Sequence, residues 1–98
     1  MGFFGKKKST AEILADGHAL FEQGQYSRAV LTWLKASGKE KGEVDYWVAR
    51  GYLAQYDKKP DKGLEKLTKQ FLKMAAKDGH EEAARLLQER FGVVLEKE

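Results

Sequence analysis

The chain has no cysteine, a single proline and no long apolar run anywhere in its 98 residues. The first absence excludes disulfides, thiolate chemistry, Cys-ligated zinc and iron–sulfur clusters, and it agrees with a reducing compartment. The second leaves few internal breaks in a sequence rich in Ala, Leu, Glu, Lys and Gln, which favour helix. The third keeps the chain far below the ~20 consecutive apolar residues of a membrane helix. No secretory leader is expected, because Met1–Gly5 is too short for an apolar signal core and the lysines follow it. Charge of one sign is also scarce in excess: 18 basic and 15 acidic side chains leave a net +3, which names no partner. The expectation is one soluble, cytoplasmic domain.

Catalytic and metal signatures are incomplete in the same way. His80 and Glu81 begin the zinc-protease pattern H-E-x-x-H, but Ala84 stands where the second histidine belongs, and His18 is far away. "HEEAA" therefore reads as a helix start. His18 and Glu22 are four residues apart and share a helix face, a groove feature and a poor catalyst. With no nucleophile motif, phosphate loop or glycine fingerprint, no enzymatic activity, metal or cofactor is expected.

What is present is helical periodicity. Ser9 and Glu12 have capping-box spacing. Ile13, Leu14, Gly17, Leu20 and Phe21 then mark one face of a first helix, stopped at Gly24. Tyr26, Ala29, Val30, Trp33 and Leu34 mark a second, closed by the polar loop 37–42. A third carries Val44, Trp47, Val48, Gly51 and Tyr52 and ends before Pro60. Asp61 caps a fourth, with Leu64, Leu67, Phe71, Met74 and Ala75 inward and Gly79 just past its end. Glu81 and Glu82 open a fifth, whose buried side is Ala83, Leu86, Leu87 and Phe91. The fold class is all-α, five helices over residues 10–92. Residues 1–9 are expected as a flexible basic arm, whose Phe3 and Phe4 fold back or touch an anionic surface, and 93–98 as a tail in which Val93, Val94 and Leu95 shield the last helix. Lys6 stands where a myristoylation motif needs Ser or Thr.

Asp-Gly-His occurs twice, at Asp16–His18 inside a helix and at Asp78–His80 between helices, so the copies are not equivalent. The better register places Gly17 on Gly51, a spacing of 51 − 17 = 34 residues, with each glycine mid-way along the first helix of a pair. In that register Gly17–Ala36 resembles a tetratricopeptide unit: Gly17, bulky Leu20 and Phe21, the Gln23–Gly24 turn, Tyr26, small Ala29, then Trp33 and Lys35–Ala36. Asp61–Leu87 is similar to the related SEL-one-like repeat, with Ala75–Ala76, Gly79–His80 and Glu82–Ala83 in place. Gly63, Gln88 and the lysine-rich turn 57–61 depart from the pattern. The resemblance implies a short right-handed α-solenoid of about two and a half antiparallel helix pairs. It also implies a non-enzymatic adaptor that binds a protein or peptide in a concave groove. By register the groove residues are Leu14, His18, Phe21 and Glu22 on the first helix, and Asp45, Val48, Tyr52, Gln55 and Tyr56 on the third. A bacterial immunity or antitoxin role is the alternative.

A second candidate surface comes from charge. Lys62, Lys66, Lys69, Lys73 and Lys77 are spaced 4, 3, 4 and 4, which places all five on one narrow face of the fourth helix. Lys58 and Lys59 precede them. Such a stripe suits an acidic protein face or a phosphate backbone, although the few, dispersed arginines make nucleic acid the weaker expectation. Self-association through the last helix is a further expectation.

Overall fold

The computed structural model describes residues 8–95. The readings made for Met1–Lys7 and for the last three positions of the tail fall outside the described residues. Five helices follow one another: α1 (Thr10–Glu22), α2 (Tyr26–Leu34), α3 (Glu43–Lys58), α4 (Lys62–Lys77) and α5 (Glu81–Phe91). There is no strand among the described residues, and no helix is long and apolar enough to cross a membrane.

Local chemistry sets the boundaries. Ser9 Oγ accepts the Glu12 N–H at 3.1 Å and Glu12 Oε1 accepts the Ser9 N–H at 2.8 Å, completing the capping box of α1. Asp61 caps α4 through the Leu64 N–H at 3.1 Å. His80 caps α5 with its ring, Nδ1 accepting the Ala83 N–H at 3.1 Å, so "HEEAA" is a helix start. Gly24 and Gly79 take φ of +81° and +98° after α1 and α4, the left-handed geometry that lets the next N–H reach back to the helix. Gln25 and His80 donate to Leu20 O and Ala75 O in this way. The loop before α3 is tighter than polarity alone indicates, with Glu40 and Lys41 both at positive φ.

Each helix packs chiefly on the helices before and after it, which is the organisation of a stack rather than of a closed bundle. Three of the four connections are only three residues long, so successive helices run antiparallel. Both glycines of the 34-residue register mark close approaches, but Gly51 meets α2, whereas the register implies α4, the second helix of its own pair. A Cβ on Gly17 would lie 2.1 Å from Trp33 Nε1, and one on Gly51 would lie 2.4 Å from Val30 Cγ2. Both glycines let α2 approach the helix that carries them.

The core forms two linked clusters. Ala29, Val30, Trp33, Ala36, Val44 and Val48 join α2 to α3, with α1 packed against them. Tyr46, Ala49, Leu72, Ala75, Ala83 and Leu87 join α3 to α4 and α5. Lying between the two, α3 is buried on two sides. α4 differs from its expected stripe: Thr68, Leu72 and Ala75 are fully buried, whereas Met74 is 38% exposed. Because α4 is wedged between α3 and α5, its buried face is broader than one apolar row and turned away from Met74. Thr68 tolerates full burial because its hydroxyl donates to Leu64 O at 2.7 Å. At the end of the chain, Val93 and Leu95 pack on the second cluster, while Val94 points outward, 68% exposed.

Candidate partner-binding site

Glycine as a marker of close packing explains where the groove register fails. Residues three before and four after Gly51 share its face, and that face is against α2. Val48 is therefore core, fully buried, and Gln55 turns to Ser27 on α2, whose hydroxyl donates to Gln55 Oε1 at 3.4 Å. Asp45 is also fully buried. Its Oδ1 accepts the Ser37 hydroxyl at 2.7 Å and the Gly38 N–H at 3.2 Å, pinning the loop before α3. Asp45 and Val48 thus line no groove, contrary to expectation. Tyr52 packs on Phe71 of α4 and Tyr56 on Phe91 of α5.

On α1 the register does better. Leu14 packs on the first cluster, and its carbonyl accepts the Trp33 indole N–H at 3.2 Å. His18 lies edge-on to Trp47 and Trp33, with ring centroids at 4.5 and 5.3 Å, instead of turning to Glu22. Glu22 is exposed at the end of the helix. Phe21 reaches the open face, where it contacts the rings of Tyr26, Trp33 and Trp47.

That open face is formed by the first helix of each pair. A cleft of about 250 Å³ lies between Phe21 of α1, Arg50, Leu53, Ala54 and Asp57 of α3, and Leu86 and Arg90 of α5. Its two guanidinium groups differ. Arg90 makes a bidentate pair with Asp57, at 2.6 and 3.3 Å, and that carboxylate raises the Arg90 pKa. Arg50 donates to Tyr46 Oη at 2.9 Å and lies over the Trp47 ring at 5.1 Å. Among the described residues no carboxylate pairs with Arg50. The signal for it was available in the sequence, since Arg50 is four residues after Tyr46 and three after Trp47.

Glu43 ties α3 to the start of α5. Its Oε2 accepts the Trp47 indole N–H at 2.9 Å and its Oε1 lies 2.8 Å from His80 Nε2. Because Nδ1 of His80 accepts at the α5 cap, the neutral ring carries its proton on Nε2 and donates it to Glu43. His80 stacks on Tyr46 with centroids 4.4 Å apart. Burial works to raise the Glu43 pKa, but the hydrogen bonds from Trp47 and His80 favour the charged form, and the carboxyl lies below its ordinary range.

On the opposite side, the five α4 lysines do share one surface, a shallow trough of about 600 Å³ that also takes in Glu65, Gln70 and Met74. Lys69 is drawn aside, paired with Glu65 at 3.0 Å and placed 5.4 Å over the Phe91 ring. Lys58 leaves the stripe as well, its ammonium 5.6 Å from the Tyr26 ring.

The chain matches no protein-family model, no curated protein and no solved structure. Its geometry is then the ground on which a function is argued.

Proposed function

We propose that the chain is a non-enzymatic interaction module that takes a segment of a protein partner into the cleft between α1, α3 and α5. This is the use expected of the tetratricopeptide-like and SEL-one-like stack that its residues resemble. Arg50 is the observation that carries the reading. A half-buried cation held by a phenol and an indole face, with no carboxylate of its own, is preorganised for an acceptor brought from outside. Phe21 and Leu86 beside it supply the apolar surface that an interface core requires. The cleft has room for one or two side chains, so the rest of the partner lies along the ridge formed by α1 and α3.

The test is affinity capture with the tagged chain, quantified by mass spectrometry and repeated with Arg50→Ala and Phe21→Ala after circular dichroism has shown both to be folded. The expected result is a protein enriched by the unaltered chain and lost with both variants. Equal enrichment by all three would remove the cleft from consideration.

A further inference from the structure

The trough on α4 has a finer structure than a row of like charges. With Lys69 engaged by Glu65, the trough lysines that make no ion pair among the described residues are Lys62, Lys66, Lys73 and Lys77. They form two i,i+4 pairs separated by a seven-residue gap, two helical turns or about 10 Å. Lys69 and Gln70 lie within the gap, and Met74 stands just past Lys73, beside the second pair. Gln70 and Met74 line the same trough, and Met74 is one of three large apolar residues exposed among those described. Like charges at i,i+4 cost a few tenths of a kcal/mol per pair in an isolated helix. The arrangement is therefore self-repelling until an anion arrives.

We propose that this face docks an acidic amphipathic helix of a partner protein. Two acidic pairs with the same four, seven and four spacing would meet the two lysine pairs, and an apolar residue flanking the second acidic pair would cover Met74. The pattern matches a helix because the lysines repeat at the pitch of one, over about 22 Å from Lys62 to Lys77. A nucleic acid fits less well. The trough holds no arginine and no aromatic ring, which are the groups that bind phosphate bidentately and stack on bases, and a phosphate backbone gains nothing from a thioether beside the lysines. The proposal shares with the cleft reading only the premise that the chain works by binding.

The test uses the full chain and a labelled, acetylated helical peptide carrying glutamates at spacings of four, seven and four, with leucines flanking the second glutamate pair. A peptide of the same composition in scrambled order, oligothymidylate and phosphatidylserine vesicles are the comparisons, followed by fluorescence anisotropy or co-sedimentation at rising salt. The patterned peptide is expected to bind about tenfold tighter than the scrambled one, equivalent to ~1.4 kcal/mol. The Lys66→Glu/Lys73→Glu variant should abolish binding, and Met74→Gln should remove the preference for the patterned peptide while leaving the salt dependence. Arg50→Ala should change nothing here, which separates this result from the capture experiment. Equal binding of the scrambled peptide, tighter binding of oligothymidylate or vesicles, no binding of any probe, or loss of peptide binding with Arg50→Ala would each overturn the proposal.

Discussion

Replacing Gly17 with alanine sets two effects of opposite sign against each other. In a helix interior the change should stabilise by about 1 kcal/mol, through propensity alone. Here the added Cβ would lie 2.1, 2.4 and 2.5 Å from three atoms of the Trp33 indole. Trp33 is fully buried, and its N–H is bonded to Leu14 O, so it has no free path of retreat. Overpacking of this kind costs ~1–3 kcal/mol, and an indole N–H pulled off its acceptor costs another ~1–3 kcal/mol. Net of propensity, Gly17→Ala should destabilise by ~1–5 kcal/mol, with ~3 kcal/mol at mid-range. With a urea slope of about 1–3 kcal/mol/M, that mid-range value lowers the unfolding midpoint by circular dichroism by about 1–3 M with the slope unchanged. In a Trp33→Phe background, where the ring is smaller, the same substitution should cost markedly less. A midpoint that stays constant or rises would show that α1 and α2 do not meet as described, and the stacked-pair account would lose its first contact.

Two further predictions concern the junction of α3 and α5. His80→Ala removes the α5 cap and the bond to Glu43 together and should cost ~1–2 kcal/mol, whereas His80→Asn keeps a capping acceptor and should recover part of that loss in the same urea assay. Glu43 has a folded pKa below the ordinary 4.5, so the unfolded chain takes up its proton first as the solution is acidified. The stability that Glu43 contributes is therefore complete above about pH 4.5 and is lost as the pH falls through the lower folded value. Urea midpoints measured from pH 6 down to pH 3 should fall more steeply for the unaltered chain than for Glu43→Gln, and parallel curves would refute the assignment.

The five helices were legible because their boundaries are set by residues adjacent in sequence. Ser9 with Glu12, Asp61, Gly24, Gly79 and His80 each act within a few positions of themselves, and each is found at the helix end where its chemistry suits it. The sites of close approach were legible as well, since only glycine at positions 17 and 51 leaves room for Trp33 and Val30. The groove was not. Apolar and small residues occur on all sides of α3 because it is covered by α2 on one side and α4 on the other, so no single stripe shows which side remains open. Counting from Gly51 selects positions that packing closes, and Asp45 and Val48 are fully buried there. The face left open carries Arg50, Ala54 and Asp57, a polar set whose meaning depends on Phe21 and Leu86 arriving from helices distant in sequence. Likewise the α4 lysines are visible as a stripe and the Lys69–Glu65 pair is an i,i+4 contact within α4, but the Phe91 ring over which Lys69 lies arrives from α5.

The most direct test of the cleft as the binding surface is site-specific photo-crosslinking in the native cell. A photoreactive residue at Ala54, in the cleft, is compared with one at Leu31, which is 65% exposed on α2 and outside it. The account predicts one dominant protein adduct from position 54, absent from position 31 and abolished when Arg50→Ala is added. Adducts of equal yield from both positions, or an adduct at 54 that survives Arg50→Ala, would contradict it.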